Sequence, residues 1–172
     1  MAGIIKVNQY QDFNGNTLFT SDGNGNLTTM KNNYPAFNAY ASSNITVSGN
    51  NVSTLLIFDT EDFDEGSCYD TSTGKFQPQT AGKYFVYAGW KANDSSSTDS
   101  AISLYIYKNA SLILQHQIGT DADYFPTIAR EKIVEMNGST DFIEIYARYR
   151  NDYNEVVGST SSTYFGAYRI GS

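Results

Sequence analysis

One cysteine, one histidine, one tryptophan, three prolines and only 11 Lys plus Arg in 172 residues exclude several classes of protein before any motif is considered. With Cys68 alone, no internal disulfide can form, so the chain does not depend on an oxidised framework. Cys68 is expected as a small packed side chain. With His116 alone, a multi-histidine zinc site cannot form. His116 lies in the strand-like stretch from Leu112 to Ile118, away from any recognisable nucleophile motif, and is expected as an exposed strand residue rather than a catalytic one. The net charge of −7 and the lack of a basic run argue against nucleic acid and anionic membrane surfaces as partners, because both are held largely by Lys and Arg. No apolar run approaches the ~20 residues of a membrane span. The opening Met1-Ala2-Gly3-Ile4-Ile5-Lys6-Val7 has no apolar signal core, so membrane insertion is not expected and assembly in the cytosol is. No amphipathic helix stands out. Nor is there a phosphate-cradling Gly-rich loop before a helix, so no nucleotide cofactor is expected.

What the chain does have is 14 Tyr and 10 Phe, separated by stretches of Ser, Thr, Asn and Gly. That mixture favours strands joined by tight turns. The length suits one domain and a short appendage. Residues 1–32 read as the appendage, a β-hairpin arm. Strand-like pieces (Ile4 to Tyr10, Thr17 to Thr20, Leu27 to Met30) alternate with Asn14-Gly15-Asn16 and Asp22-Gly23-Asn24-Gly25-Asn26, whose Asn-Gly and Asp-Gly pairs suit the positive φ of hairpin turns. So short and polar a segment cannot bury a core of its own. It is expected to order against copies of itself or another protein, with Ile4, Ile5, Val7, Leu18 and Phe19 supplying apolar contacts.

Beyond residue 33 a period of two prevails. In Ala101 to Lys108, Ile102, Leu104 and Ile106 share one face and Ser103, Tyr105 and Tyr107 the other. In Phe142 to Arg150, Ile143, Ile145, Ala147 and Tyr149 oppose Phe142, Glu144, Tyr146 and Arg148. Strands that are aromatic on their outer face need something further to pack against. Carboxylates crowd the segment from Asp59 to Asp70, with Glu65 near its middle. Asp59, Glu61, Asp62 and Asp64 are the candidate ligands there for calcium, the one cofactor considered, since that ion takes 6 to 8 oxygens. The spacing is not that of an EF-hand, and a solvated acidic face is the competing reading. Asp121 and Asp123 form a weaker candidate of the same kind. Asn-x-Ser/Thr sequences begin at Asn26, Asn44, Asn51, Asn93, Asn109 and Asn137, as chance provides in a chain of this composition.

One ordered ladder is specific enough to suggest a fold. Phe58, Asp64, Tyr69, Phe76, Gly82 and Tyr84 follow one another as aromatic, acid, two aromatics and Gly-x-Tyr, with Val86 where a further aromatic would close the series. The ladder resembles the signature of the globular head of complement C1q, a ten-strand jelly roll akin to tumour necrosis factor. Pro35-Ala36-Phe37-Asn38-Ala39-Tyr40 resembles the opening strand of that family and Ser162-Thr163-Tyr164-Phe165-Gly166 its closing one, so 33–172 is covered. The resemblance implies an all-β jelly-roll sandwich that assembles as a homotrimer through aromatic and aliphatic side chains. Tyr105, Tyr107, Tyr146, Tyr164 and Tyr168 are the candidates for that contact. No Gly-x-y repeat supplies a collagen stalk. The arm, opening Met-small-x-Ile-Lys-Val before a hairpin, resembles the N-terminal segments of small fibre and virion proteins of tailed bacteriophages. Together these imply a non-enzymatic structural or adhesive protein on a virion surface. Its arm would dock to a capsid, neck or tail protein, and its head would face a host glycan or protein. A trimeric adhesin of a bacterial cell or spore surface is the alternative, and a glycan-active enzyme a third for which no catalytic pair is visible.

Overall fold

A computed structural model describes residues 9–26, 35–47, 49–93, 100–120, 125–150 and 155–171. No described residue is helical. The chain divides into two compact units, Met1–Asn33 and Tyr34–Ser172.

In the first unit, β1 (Gln9–Gln11) pairs antiparallel with β2 (Thr17–Thr20). The turn between them is built by Asp12, whose Oδ1 accepts from the backbone N–H of Asn14 at 2.9 Å and of Asn16 at 2.8 Å. Asn16 Nδ2 donates to the other carboxylate oxygen. The same set of bonds recurs ten residues later, where Asp22 accepts from Asn24 N–H, Asn26 N–H and Asn26 Nδ2. Asp-x-Asn-Gly-Asn is thus a repeated turn, with Gly15 and Gly25 in the left-handed region its geometry requires.

In the second unit alternation sorts the side chains onto two sheets. The strands are β3 (Ala36–Tyr40), β4 (Ile45–Thr46), β5 (Thr54–Leu55), β6 (Thr60–Glu65), β7 (Tyr69–Asp70), β8 (Lys75–Phe76), β9 (Gly82–Lys91), β10 (Ser100–Lys108), β11 (Ser111–Thr120), β12 (Thr127–Met136), β13 (Ile143–Arg150), β14 (Glu155–Val156) and β15 (Tyr164–Gly171). A six-stranded sheet runs β11-β10-β13-β8-β7, with β5 also on β13. A five-stranded sheet runs β12-β9-β15-β3-β6. The small β14-β4 pair lies outside both. The inner faces meet in one core in which Ile102, Leu104 and Ile106 of β10 and Ile143, Ile145 and Ala147 of β13 pack with Tyr84, Val86, Ala88 and Trp90 of β9. This is the jelly-roll sandwich that the ladder implied.

The ladder residues occupy the centre of that core. Phe58, Phe76, Tyr84 and Val86 are all fully buried. Phe37 stacks on Tyr69 at 4.6 Å and on Phe76 at 5.0 Å, and meets Phe165 edge-on at 4.9 Å. Such aromatic pairs stabilise by about 0.5 to 1.5 kcal/mol beyond their burial. Asp64, the acid of the ladder, accepts from the backbone N–H of Cys68 at 2.9 Å and of Tyr69 at 3.1 Å. It closes the tight connection from β6 to β7.

Candidate functional site

The outward face of the five-stranded sheet follows from the same alternation. With Tyr84, Val86, Ala88 and Trp90 turned inward on β9, Phe85, Tyr87 and Gly89 turn outward. Across β15 they face Tyr168, Gly166 and Tyr164 respectively. The two glycines make room for rings lying on the sheet: a Cβ at Gly166 would overlap the Tyr87 ring, and one at Gly89 would come within 2.9 Å of Tyr164. Aromatic contacts then run across the face, from Tyr168 to Phe85 at 5.4 Å, Phe85 to Tyr87 at 6.2 Å and Tyr87 to Tyr164 at 6.3 Å. Ile133 of β12 pairs with Phe85, and Phe63 of β6 pairs with Asn38 of β3. Ile133, Phe63 and Tyr168 are 56, 47 and 46 % exposed.

One polar chain crosses this apolar face. Tyr87 OH donates to Asn38 Oδ1 at 3.0 Å, and Asn38 Nδ2 donates to Asp62. Burial pushes the Tyr87 phenol up, with Tyr168, Asp62 and Tyr164 acting in the same direction.

The five tyrosines singled out from the sequence are not brought together. Tyr164 and Tyr168 lie on the five-stranded sheet, whereas Tyr105, Tyr107 and Tyr146 lie on the outer side of the six-stranded one. A flat contact around a single axis can use one set or the other. Tyr105 is already covered, at 3 % exposure, and its hydroxyl accepts from Arg148 Nη1 at 3.1 Å. Arg148 also donates to Asn51 at 3.0 Å, fixing the loop that leads into β5. Tyr107 and Tyr146 pack at 4.8 Å, and Lys75 reaches both Glu144, at 4.0 Å, and the Phe142 ring. Phe85, Tyr87, Phe63 and Ile133 escaped the sequence reading. The signal for the first two was there, because an inward Tyr84 and Val86 place them outward.

The candidate calcium ligands are likewise dispersed. Asp59 accepts from the backbone N–H and the hydroxyl of Ser42, both at 2.7 Å. Burial opposes its charge, but those hydrogen bonds hold its carboxyl below the usual range. Asp62 is engaged by Asn38 and Asp64 by the Cys68 turn, and among the described residues no cluster of acids, Cys and His could hold a metal ion. Glu61 is exposed on β6, and Asp121 and Asp123 lie outside the described residues.

Cys68 is buried, and its Sγ donates to Asp64 Oδ1 at 3.0 Å. Burial and the adjacent carboxylate push its thiol far up. His116 contacts Arg130, and burial and that cation hold its pKa down. A cation beside an imidazole is the opposite of the carboxylate that orients a catalytic histidine. A cleft of about 440 Å³ is lined by Ala81, Gly82, Lys108, Glu135, Met136, Asn137 and Asp141. Its lysine is engaged by Asp141 at 2.9 Å and by the Glu135 carbonyl at 2.7 Å. In the arm, Leu18 is 52 % exposed and Phe19 stacks on Tyr10 at 4.4 Å. Ile4, Ile5 and Val7 lie outside the described residues.

A family model of the C1q domain matches residues 36–164. Among solved structures, that of murine APRIL at pH 5.0 superposes with a TM-score of 0.60 at 8 % identity, covering 80 % of this chain and 99 % of that one. The Eiger TNF from S. frugiperda superposes with a TM-score of 0.57 at 15 % identity, covering 80 % and 92 %. At these identities the likeness is one of fold. No curated protein matches the sequence.

Proposed function

The chain belongs to the C1q domain family, and from that premise we propose that it is a non-enzymatic binding head that works as a homotrimer, packed through the outward face of its five-stranded sheet. The observation that carries this reading is the run of outward-facing rings from Tyr168, which is exposed, through Phe85 and Tyr87 to Tyr164, which are half-buried, flanked by the exposed Ile133 and Phe63. A contiguous apolar patch of this kind on a soluble domain marks an interaction surface. Rings lying flat over glycines give it the low relief that a self-complementary contact needs. Light scattering after gel filtration tests it: the expected mass is about three times 19.0 kDa, and a monomer at micromolar concentration defeats the reading.

Within that reading the N-terminal unit is the attachment arm and the head is the exposed part of a virion protein of a tailed bacteriophage, met by a host glycan or protein. The support is the resemblance of the opening segment to phage arms, together with a hairpin that leaves Leu18 and the Tyr10–Phe19 stack without a core of its own. Strand addition to a partner's sheet would extend the β1–β2 hairpin through backbone hydrogen bonds. A chain starting at Asn33 should keep the full-length oligomeric state and lose binding to particles that lack the protein. Retained binding would move attachment to the head.

A further inference from the structure

Three Asn-Gly pairs occur in the chain, Asn14-Gly15, Asn24-Gly25 and Asn137-Gly138. Each of these asparagines is exposed, so access alone does not separate them. Their bonding does. Asn137 Oδ1 accepts from the backbone N–H groups of Ser139, Thr140 and Asp141, each at 3.0 Å, and its Nδ2 donates to Thr140 Oγ1 at 2.8 Å. The glycine after it is packed as well, for a Cβ at Gly138 would lie 2.1 Å from Ala81 N. In the two arm turns the clamping is done by the later asparagine. The side chains of Asn16 and Asn26 donate to Asp12 and Asp22, whereas those of Asn14 and Asn24 make no hydrogen bond among the described residues. A Cβ at Gly15 or Gly25 would meet nothing within 4 Å. One difference separates these two turns: Gly15 N–H donates to Asp12 O at 3.0 Å, and Gly25 N–H has no acceptor among the described residues.

An asparagine can react with its own backbone when the next residue's nitrogen reaches the side-chain carbonyl carbon, and a following glycine, lacking Cβ, hinders that approach least. We infer that Asn24-Gly25 is a site of spontaneous deamidation, with Asn14-Gly15 a slower second and Asn137-Gly138 protected. Gly25 N loses its proton to solvent and attacks Asn24 Cγ. The bond from Cγ to Nδ2 then breaks, and the nitrogen takes up protons from water and leaves as ammonia. One water molecule opens the cyclic imide that remains, at either of its carbonyls. The first opening gives aspartate at position 24, and the second gives isoaspartate, whose main chain runs through the former side chain and is longer by a methylene. Either product sets a new carboxylate beside Asp22, and the longer chain displaces the N–H groups of Asn24 and Asn26 that Asp22 holds. Asp22-Gly23 does not compete. Attack there needs a protonated carboxyl, and the Asn26 side chain, then the N–H groups of Asn24 and Asn26, keep Asp22 below the usual range.

The test is to incubate the full-length folded protein in heavy-oxygen water at mildly alkaline pH, and to follow each pair by peptide mass mapping and isoaspartate-specific methylation. Asn24 should convert first and Asn14 more slowly. Asn137 should convert at least about tenfold more slowly than Asn24, because reaction there waits on local opening of its loop. In denaturant, where the hydrogen bonds are gone, the three rates should converge. That control separates protection by the fold from any effect of the neighbouring sequence. Equal rates at Asn24 and Asn137 in the folded protein would overturn the inference. So would an Asn24 that stays intact while folded but reacts once unfolded, or an Asn14 that reacts ahead of it.

Discussion

The two outer faces of the sandwich are both rich in tyrosine, yet they are chemically unalike. On the six-stranded sheet, Tyr105 is covered by its own chain and accepts from Arg148, and Lys75 is balanced by Glu144. On the five-stranded sheet the rings of Phe85, Tyr87, Tyr164 and Tyr168 touch mainly one another, and the apolar side chains beside them stay open. The lesson is that an outward tyrosine says little until its partners are counted. A face whose polar atoms are engaged within the chain is finished, whereas one whose rings lie flat and apolar is available for assembly.

The hardest test of this contrast is a charge placed on each face. Tyr168→Asp would bury an unpaired carboxylate in the proposed contact, a cost of several kcal/mol. Light scattering should find a monomer or dissociating species, while Tyr107→Asp should leave the mass unchanged. If the two variants behave in reverse, the faces have been assigned the wrong way round. Next in size, Gly166→Ala forces the Tyr87 ring off the sheet. Overpacking of this sort costs ~1 to 3 kcal/mol, and the midpoint of dissociation on dilution should rise.

Tyr105→Phe sharpens the other side of the comparison. It removes the acceptor for Arg148 and leaves a partly buried guanidinium short of one partner, so denaturant melts should show a loss of roughly 1 to 3 kcal/mol with the mass unchanged. The smallest effect should come from acid, acting on carboxylates that fix loops and turns between strands. Asp59 sits below its usual range despite burial because Ser42 donates to it, and Asp70 is pushed down to about 2, first by Ser72 and then by Thr73. A depressed carboxylate stabilises fully above its unfolded pKa, near 3.8, and loses that contribution as pH falls through the folded value. Melting temperature should therefore be steady down to about pH 4.5 and decline toward pH 2. Asp59→Asn should flatten part of that decline, and an unchanged slope would put the acid sensitivity elsewhere.

Much of the fold was legible because its signals are local. The spacing of Phe58, Phe76 and Tyr84 and the period-two runs around Leu104 and Ile145 each reside in a short stretch of chain, and all of these side chains are buried. The site was less legible because sheet membership is not local. Tyr105 and Tyr164 look equivalent along the chain, and only the pairing of β10 with β13 and of β15 with β9 puts them on opposite sheets. The carboxylates from Asp59 to Asp64 make a related point. Density in sequence does not predict convergence in space when Ser42, Asn38 and Cys68 each claim one of them.

The seclusion of Cys68 has a practical side. Its thiol is shielded from solvent, and so far from its thiolate that alkylating and maleimide reagents should pass the folded protein by. Every other position is free of sulfhydryl chemistry. A cysteine introduced at an exposed site such as Thr127 or Ser139 would then be the one reactive handle on the surface. Dyes, spin labels or cross-linkers could be placed on the native sequence background, and distances between neighbouring copies measured, without first engineering Cys68 away.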